Sequence, residues 1–297
     1  MQILVTGASG WIGSASVVEL LAAGHRVLGL ARSDDAAAKV AALGAEVVRG
    51  TLDDLPGLRA AAARVDGVVH LGYIHDFSRM QAAARTDRAA IETFAEVLAG
   101  SGGPLLIASG TLGLASGRPG TERDSPDPAI HPRVGNALYA QGLAARAVRS
   151  MVVRFAPTVQ GAGGDHGSVA VLSRIARQRG VSGYLGDGLN RWPAVHRLDA
   201  ARLVRLALDQ APAGAVLHAV AEEGIATRDI AAALGAFHGL PVAAIPAERA
   251  AGHFEWLAGF YAADAPASSA LTREWLGWAP GHATLLEDIR AGHYPGT

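Results

Sequence analysis

Three glycines, Gly7, Gly10 and Gly13, stand in Thr6-Gly7-Ala8-Ser9-Gly10-Trp11-Ile12-Gly13, between an apolar run and a helical pattern. Gly7 permits a tight strand-to-helix turn, Gly10 lets the backbone approach a pyrophosphate, and Gly13 lets the helix pack closely on the strand. The helix N-terminus then offers free N–H groups to an anion. The chemistry implied is the holding of a dinucleotide, with Ser9, Trp11 and Ile12 completing the cradle. The alternative is a glycine-rich turn without a ligand. Against it stand the strand before the motif, the amphipathic stretch Ser14 to Ala23 after it, and Gly24 as a helix stop.

The elements that must position this site alternate along the first half of the chain. Strands are expected at Ile3 to Thr6, Arg26 to Ala31, Glu46 to Arg49, Gly67 to Leu71, Pro104 to Ala108 and Met151 to Phe155. Helices are expected at Ser14 to Ala23, Asp34 to Leu43, Leu55 to Ala63, Gln81 to Ala99 and about Arg133 to Ala147. Such alternation predicts an α/β fold, a parallel sheet with helices on both faces. The strands are nearly all hydrophobic, as burial on both faces requires. After Phe155 the pattern loosens through Gly161-Ala162-Gly163-Gly164 into a helix at Ser168 to Arg179. Ala200 to Gln210 reads as helix, Ala215 to Val220 as a strand returning to the main sheet, and the remainder as two or three helices. Trp275 and Trp278 read as a packing cluster at a helix end.

Ser109-Gly110-Thr111 sits at the C-terminal end of the fifth strand, where open α/β sheets bind ligands. Ser109 or Thr111 there could hydrogen-bond a substrate oxygen or a cofactor, or simply cap a loop. Tyr73, His75 and Asp76 follow the fourth strand, and loops of this kind are enriched in function. His131 and Arg133 are candidates for stabilising a developing alkoxide. His166 could close over a ligand, whereas His196 reads as packing. The histidines are scattered and cysteine is absent, so no metal site is expected. The Gly161 to Gly167 stretch lacks the Lys-Ser/Thr ending of a phosphate-binding P-loop.

The chain has 297 residues, half of them hydrophobic, and a net charge of −1. That composition suits a globular protein with a substantial core and gives no basic surface for nucleic acid. Neither a membrane span nor a signal peptide is read from the sequence, so a cytoplasmic monomer or homodimer acting on a small molecule is expected. Lysine is almost absent: Lys39 is the only one.

The glycine motif, Asp66-Gly67-Val68-Val69-His70-Leu71, Val153-Arg154-Phe155-Ala156-Pro157 and Trp192-Pro193-Ala194-Val195-His196-Arg197-Leu198-Asp199 together resemble the extended short-chain dehydrogenase/reductase superfamily, which includes epimerase/dehydratase-like enzymes. The resemblance spans almost the whole chain. It implies a doubly wound Rossmann sheet in residues 1–157, completed by about 193–220. A smaller substrate-binding region would comprise 158–192 and 221–297. Further cofactor contacts are then expected from Leu71 and Gly72, from Ser109 and from Pro157.

About twenty residues past the glycines, where an NAD enzyme usually places a carboxylate on the ribose, the chain has Arg32 followed by Ser33. A guanidinium suits a 2′-phosphate, with the Ser33 hydroxyl assisting, so NADP is the expected cofactor. NAD is the alternative, with Asp34 or Asp35 taking the ribose.

The resemblance also implies a Ser or Thr after the fifth strand and a Tyr followed four residues later by Lys at the start of the next helix. The Lys is missing, because Leu143 stands four residues after Tyr139. Tyr139 also lies about two helical turns too close to Arg154. Counting back from Arg154 puts the helix start at His131-Pro132-Arg133, with Asn136-Ala137 where Ser-Lys would stand. Thr111, Arg133 and Tyr139 are the candidate catalytic residues, Tyr139 with this register against it. The expected activity is NADP-dependent reduction of a carbonyl or imine. The alternatives are a nucleotide-sugar epimerase or dehydratase and a non-catalytic NAD(P)-binding regulator.

Overall fold

A computed structural model describes residues 1–76, 79–129 and 131–296. The first half follows the expected alternation: β1 (Gln2–Thr6), α1 (Trp11–Ala22), β2 (Arg26–Ala31), α2 (Asp34–Ala42), β3 (Glu46–Arg49), α3 (Leu55–Ala62), β4 (Gly67–His70), α4 (Met80–Leu98), β5 (Pro104–Gly110), α5 (Pro132–Gly142) and β6 (Arg149–Phe155). The second half contains β7 (Thr158–Gln160), α6 (Ser168–Arg179), β8 (Ser182–Leu185), β9 (Arg191–His196), α7 (Arg197–Gln210), β10 (Ala215–Ala219), β11 (Glu222–Ala226), α8 (Thr227–His238) and β12 (Val242–Ile245). Four short helices follow: α9 (Ala250–Phe254), α10 (Ala258–Tyr261), α11 (Ala270–Leu276) and α12 (Leu285–Arg290).

The central sheet has seven strands in the order β10-β6-β5-β4-β1-β2-β3, all parallel. Alternate residues of each strand feed opposite cores, as a period of two requires. Ile3 and Val5 join one core with Val17, Val40 and Leu203, under α1, α2 and α7. Leu4 and Val152 join the other with Leu58, Ile91 and Ala137, under α3, α4 and α5. The chain runs outward from β1 through β2 to β3 and then restarts at β4 on the other side of β1. The order in which strands are added therefore reverses between β1 and β4, and the crevice beyond their C-terminal ends is where such sheets bind ligands.

A second region carries its own core around Trp192, Ile230, Phe254 and Tyr261. It holds a three-stranded sheet, β11-β9-β7, and a two-stranded one, β12-β8. The sequence does not predict β7, β8, β9, β11 or β12: β7, β8, β11 and β12 have three to five residues each, and β8, β9 and β11 carry Gly, Arg or Glu. The helix expected from Arg133 to Ala147 ends earlier: α5 stops at Gly142, a 3-10 turn spans Leu143–Arg146, and Ala147 adopts a φ of 54° that closes it. The tryptophan cluster is half realised. Trp278 is buried and its indole N–H donates to the Asp199 carbonyl at 3.0 Å, whereas Trp275 is 47% exposed.

Candidate functional site

The glycine loop is shaped by contacts that admit no side chain. Gly7 has a φ of 68°, and a Cβ on it would lie 2.8 Å from the Gly72 nitrogen. A Cβ on Gly13 would come within 2.0 Å of the Gly7 carbonyl oxygen. At Gly10 the same test meets only the Gly7 oxygen, at 3.1 Å, and Gly10 itself is exposed. The backbone from Ser9 to Ile12 is thus open on its outer side. α1 has no side-chain cap and no acidic residue in its first turn, unlike α2, α3 and α12, which Ser33, Asp54 and Thr284 cap. An uncapped helix end with exposed glycine before it is a fitting seat for a dinucleotide diphosphate.

Trp11 turns its side chain to another task. Its indole N–H donates to the Val159 carbonyl at 2.7 Å, and the Arg197 guanidinium lies over its ring, 4.1 Å from the centroid. Arg197 also reaches Ser14 Oγ at 3.4 Å and the Ala162 carbonyl at 3.5 Å. These contacts tie the second region to the glycine loop and commit the Trp11 side chain, so that only the backbone of Trp11 could face a cofactor. Pro157 is half-buried, and its carbonyl accepts from the Ser168 hydroxyl at 3.1 Å.

Arg32 follows β2 directly and is exposed. Its neighbours are engaged: Ser33 Oγ accepts from the Ala36 N–H at 3.2 Å, capping α2, and Asp34 pairs with Arg49 at 2.9 Å. Among the described residues, the cation left free at this strand end is Arg32, and Asp35, three residues on, is a carboxylate without a partner.

On the β4 side a buried polar chain runs inward from the loop. The Gly72 N–H donates to Thr6 Oγ1 at 3.0 Å, and Thr6 Oγ1 lies 2.7 Å from His70 Nδ1. His70 Nε2 is 3.2 Å from Asp87 Oδ1. The Asp87 carboxylate can only accept, so Nε2 carries a proton toward it, and in the neutral ring Nδ1 then accepts from the Thr6 hydroxyl. Asn136 Nδ2 donates to Asp87 Oδ2 at 2.6 Å and to the Ala84 carbonyl at 2.9 Å, and Arg133 Nε stands 4.0 Å from the same oxygen. Burial would raise the Asp87 carboxyl, but the His70 hydrogen bond, the Arg133 cation and the Asn136 amide outweigh it and hold it below the usual carboxylate range. Asp87 thus fixes the start of α5 against the ends of β1 and β4. Sequence reasoning missed it: one acidic residue inside a helix reads as a solvated face.

Arg133 is the hub of the outer end. Its guanidinium lies 4.1 Å from the Tyr73 ring centroid, and Tyr73 meets His75 edge-on at 5.4 Å. Burial first, then the Arg133 cation, lowers both His75 and His131. His131 caps α5, its Nδ1 accepting from the Arg133 N–H at 3.1 Å. Thr111 is 2% exposed, and its N–H donates to the Phe155 carbonyl at 3.1 Å. Ser109, at the end of β5, is half-buried. Tyr73 Oη, Thr111 Oγ1 and Arg133 Nε are all buried without a hydrogen-bond partner. Each such atom costs about 1–3 kcal/mol, which a ligand oxygen would relieve.

Tyr139 lies elsewhere on α5. Its ring sits under the Arg88 guanidinium, 3.5 Å from centroid to cation, its hydroxyl is 3.5 Å from Arg146, and it packs against the core beneath α3 and α4. His166 is exposed beside Asp165, whose carboxylate accepts from the Gly167 N–H at 2.7 Å and the Tyr294 hydroxyl at 3.1 Å. His196, Asp199 and His282 bring ligand-type atoms within 4.8 Å of one another. Asp199 is already bonded to the Gly281 and His282 N–H groups and to His282 Nδ1. The two imidazoles stack at 9°, so their lone pairs lie in parallel planes rather than converging. The group reads as a staple between α7 and the segment before α12. Among the described residues no helix is long and apolar enough to cross a membrane.

The NAD dependent epimerase/dehydratase family matches residues 3–220. An uncharacterized protein of Schizosaccharomyces pombe is 46% identical over 296 residues, covering 99% of this chain and 100% of that protein. A 4-hydroxy-2-methyl-3-oxo-4-farnesyl-3,4-dihydroquinoline-1-oxide ketoreductase of Stigmatella aurantiaca is 41% identical over 70 residues, 24% of this chain and 21% of that one. Among solved structures, the UDP-glucose 4-epimerase of Thermotoga maritima with UDP-glucose superposes with a TM-score of 0.78 at 20% identity, covering 100% of this chain and 98% of that chain. By its sheet, its glycine loop and these matches, the chain belongs to the NAD dependent epimerase/dehydratase family.

Proposed function

We propose that this protein is an NADP-dependent reductase acting on a carbonyl or imine of a small, fairly apolar molecule. The observation that carries the reading is the buried, unpartnered Thr111 hydroxyl just past β5, on the sheet edge where the open glycine cradle follows β1, with the Arg133 cation on α5 as the second group. When bound, reduced nicotinamide supplies the hydride. Thr111 donates a hydrogen bond to the substrate oxygen, and the Arg133 cation stabilises negative charge as it develops there. Arg32 takes the 2′-phosphate.

The reductive direction follows from the lack of a strong base. Lys39, the one lysine, stands in the last turn of α2, and Tyr73 is pushed up by burial, with Asp87 adding to the rise and Arg133 opposing it. A phenol that stays protonated donates more readily than it abstracts. The ketoreductase similarity runs in the same direction over its short span. A second reading, epimerase or dehydratase chemistry on a nucleotide sugar, is favoured by the family as a whole.

The test is to incubate the protein with NADPH and benzaldehyde, cyclohexanone and 1-pyrroline, following loss of the nicotinamide absorbance. Turnover of any of them with NADPH preferred over NADH is the expected result. Firm NADPH binding with no turnover would replace the reading with that of a cofactor-binding regulator, and conversion of a nucleotide sugar without net cofactor consumption would favour the second reading.

A further inference from the structure

We propose that Tyr73 is the proton donor of this site and that Arg133, lying across its ring, is the residue that positions it. The proposal rests on the reductase reading above and names the group that reading leaves open.

Tyr73 follows β4 by three residues and Thr111 follows β5 by one. β4 and β5 are neighbours in register, His70 opposite Ile107, so both hydroxyl-bearing residues stand on the same edge of the sheet. The glycine loop after β1 opens on that edge too, and Gly7 packs against Gly72, the residue before Tyr73. The Tyr73 hydroxyl is buried and unpartnered although its ring is held on one side by Arg133 and on another by His75. The fold therefore fixes the ring and leaves the O–H uncommitted, which is what a group that must give its proton to a ligand requires.

Among the described residues, the groups that face the phenol stand on α4, on α5 and on its own loop. Arg133 on α5 favours the phenolate, Asp87 on α4 opposes it, and burial opposes it further. His75 on the same loop and His131 at the start of α5 are both kept toward the neutral form by burial and by Arg133, so neither competes as a cationic acid near neutrality. Asp87, itself fixed by His70 and Asn136, holds Arg133 from behind at 4.0 Å.

The step balances as follows. As the carbonyl carbon gains a hydride from bound NADPH, its π pair moves to oxygen. The Tyr73 O–H bond breaks and its proton forms the new O–H bond of the alcohol. The phenolate, facing the Arg133 cation, is returned to phenol by a proton from solvent water, and the oxidised cofactor leaves.

The experiment compares wild type with Tyr73→Phe, Arg133→Met and Arg133→Lys in four readouts: thermal midpoint, NADPH affinity by nicotinamide fluorescence, kcat and KM on the three probes named above, and tyrosinate absorbance against pH. Tyr73→Phe removes a hydroxyl that bonds to nothing in the fold, so its thermal midpoint and NADPH affinity are expected to match wild type while kcat falls by about 10²- to 10⁴-fold. The wild-type minus Tyr73→Phe absorbance isolates one phenol. Arg133→Met is expected to move that phenol's ionisation to higher pH, and Arg133→Lys to restore part of both the ionisation and kcat. Undiminished kcat in Tyr73→Phe, or an ionisation indifferent to Arg133→Met, overturns the assignment and leaves the reductase reading standing. Wild type that turns over none of the probes overturns the reading, and the assignment with it.

Discussion

Replacing Arg32 with Ala separates the cofactor assignment from everything else in the site. Arg32 is exposed, whereas Ser33 is occupied as the cap of α2 and Asp34 is paired with Arg49. Its removal should therefore leave the fold intact and delete only a contact to a 2′-phosphate. A charge-assisted hydrogen bond of this kind contributes about 1.5–3 kcal/mol, which corresponds to an NADPH dissociation constant raised about 10- to 150-fold. The NADH constant should change little, because a ribose hydroxyl offers the guanidinium no charge. The pair is solvent-exposed, so the wild-type preference for NADPH should shrink with added salt. Ser33→Ala is the control: it should cost about 1 kcal/mol of stability through the lost cap and leave the NADPH/NADH ratio near wild type. Titrations of both cofactors into wild type and the two variants, followed by nicotinamide fluorescence, give all six constants. Equal weakening of NADPH and NADH in Arg32→Ala would refute the assignment, and a collapse of the ratio in Ser33→Ala would show that the hydroxyl reads the phosphate despite its capping bond.

Three further outcomes are expected. Asp87→Ala leaves His70 and Asn136 buried without their partner and Arg133 without its counter-charge, and should cost about 3–5 kcal/mol in urea unfolding with an unchanged m value; a loss under about 1 kcal/mol would contradict the buried chain. Tyr139→Phe removes only a hydroxyl at 3.5 Å from Arg146 and should retain most activity; a thousandfold fall would return Tyr139 to the reaction. His218 donates from Nδ1 to the Ser268 carbonyl at 2.7 Å and faces the buried Arg154. Burial above all pushes it down to about 4. The unfolded chain therefore binds this proton first, so stability should fall as pH is lowered from about 6.5 to about 4, by at most about 3 kcal/mol. Urea unfolding of wild type against His218→Gln across that range checks it, and parallel pH curves would refute it.

The parts of this molecule legible in the sequence are those set by sterics and period. Gly7 and Gly13 announce themselves because no other residue fits where they stand. β1 and β6 do so because burial on both faces makes them continuous apolar runs. The register count that places the start of α5 at His131-Pro132-Arg133 agrees with the helix seen from Pro132. What stayed hidden depends on tertiary crossing. Asp87 meets His70 and Asn136 across seventeen and forty-nine residues, and nothing local marks it as buried. Tyr73 and Arg133 were each legible as candidates, but their contact exists only because α5 returns over the β4 loop. Trp11 shows the converse: its place in the glycine motif was legible, while its indole bond to Val159 was not.

A crystal structure of the protein with NADP⁺ and the alcohol product of a turned-over probe tests the account most directly. The account predicts the diphosphate over the backbone of Ser9 to Ile12, the 2′-phosphate against Arg32, and the product oxygen within hydrogen-bond reach of Thr111 Oγ1 and Tyr73 Oη beside the Arg133 guanidinium. A nucleotide seated away from the glycine loop, or a product oxygen that leaves those donors unpartnered, would contradict it.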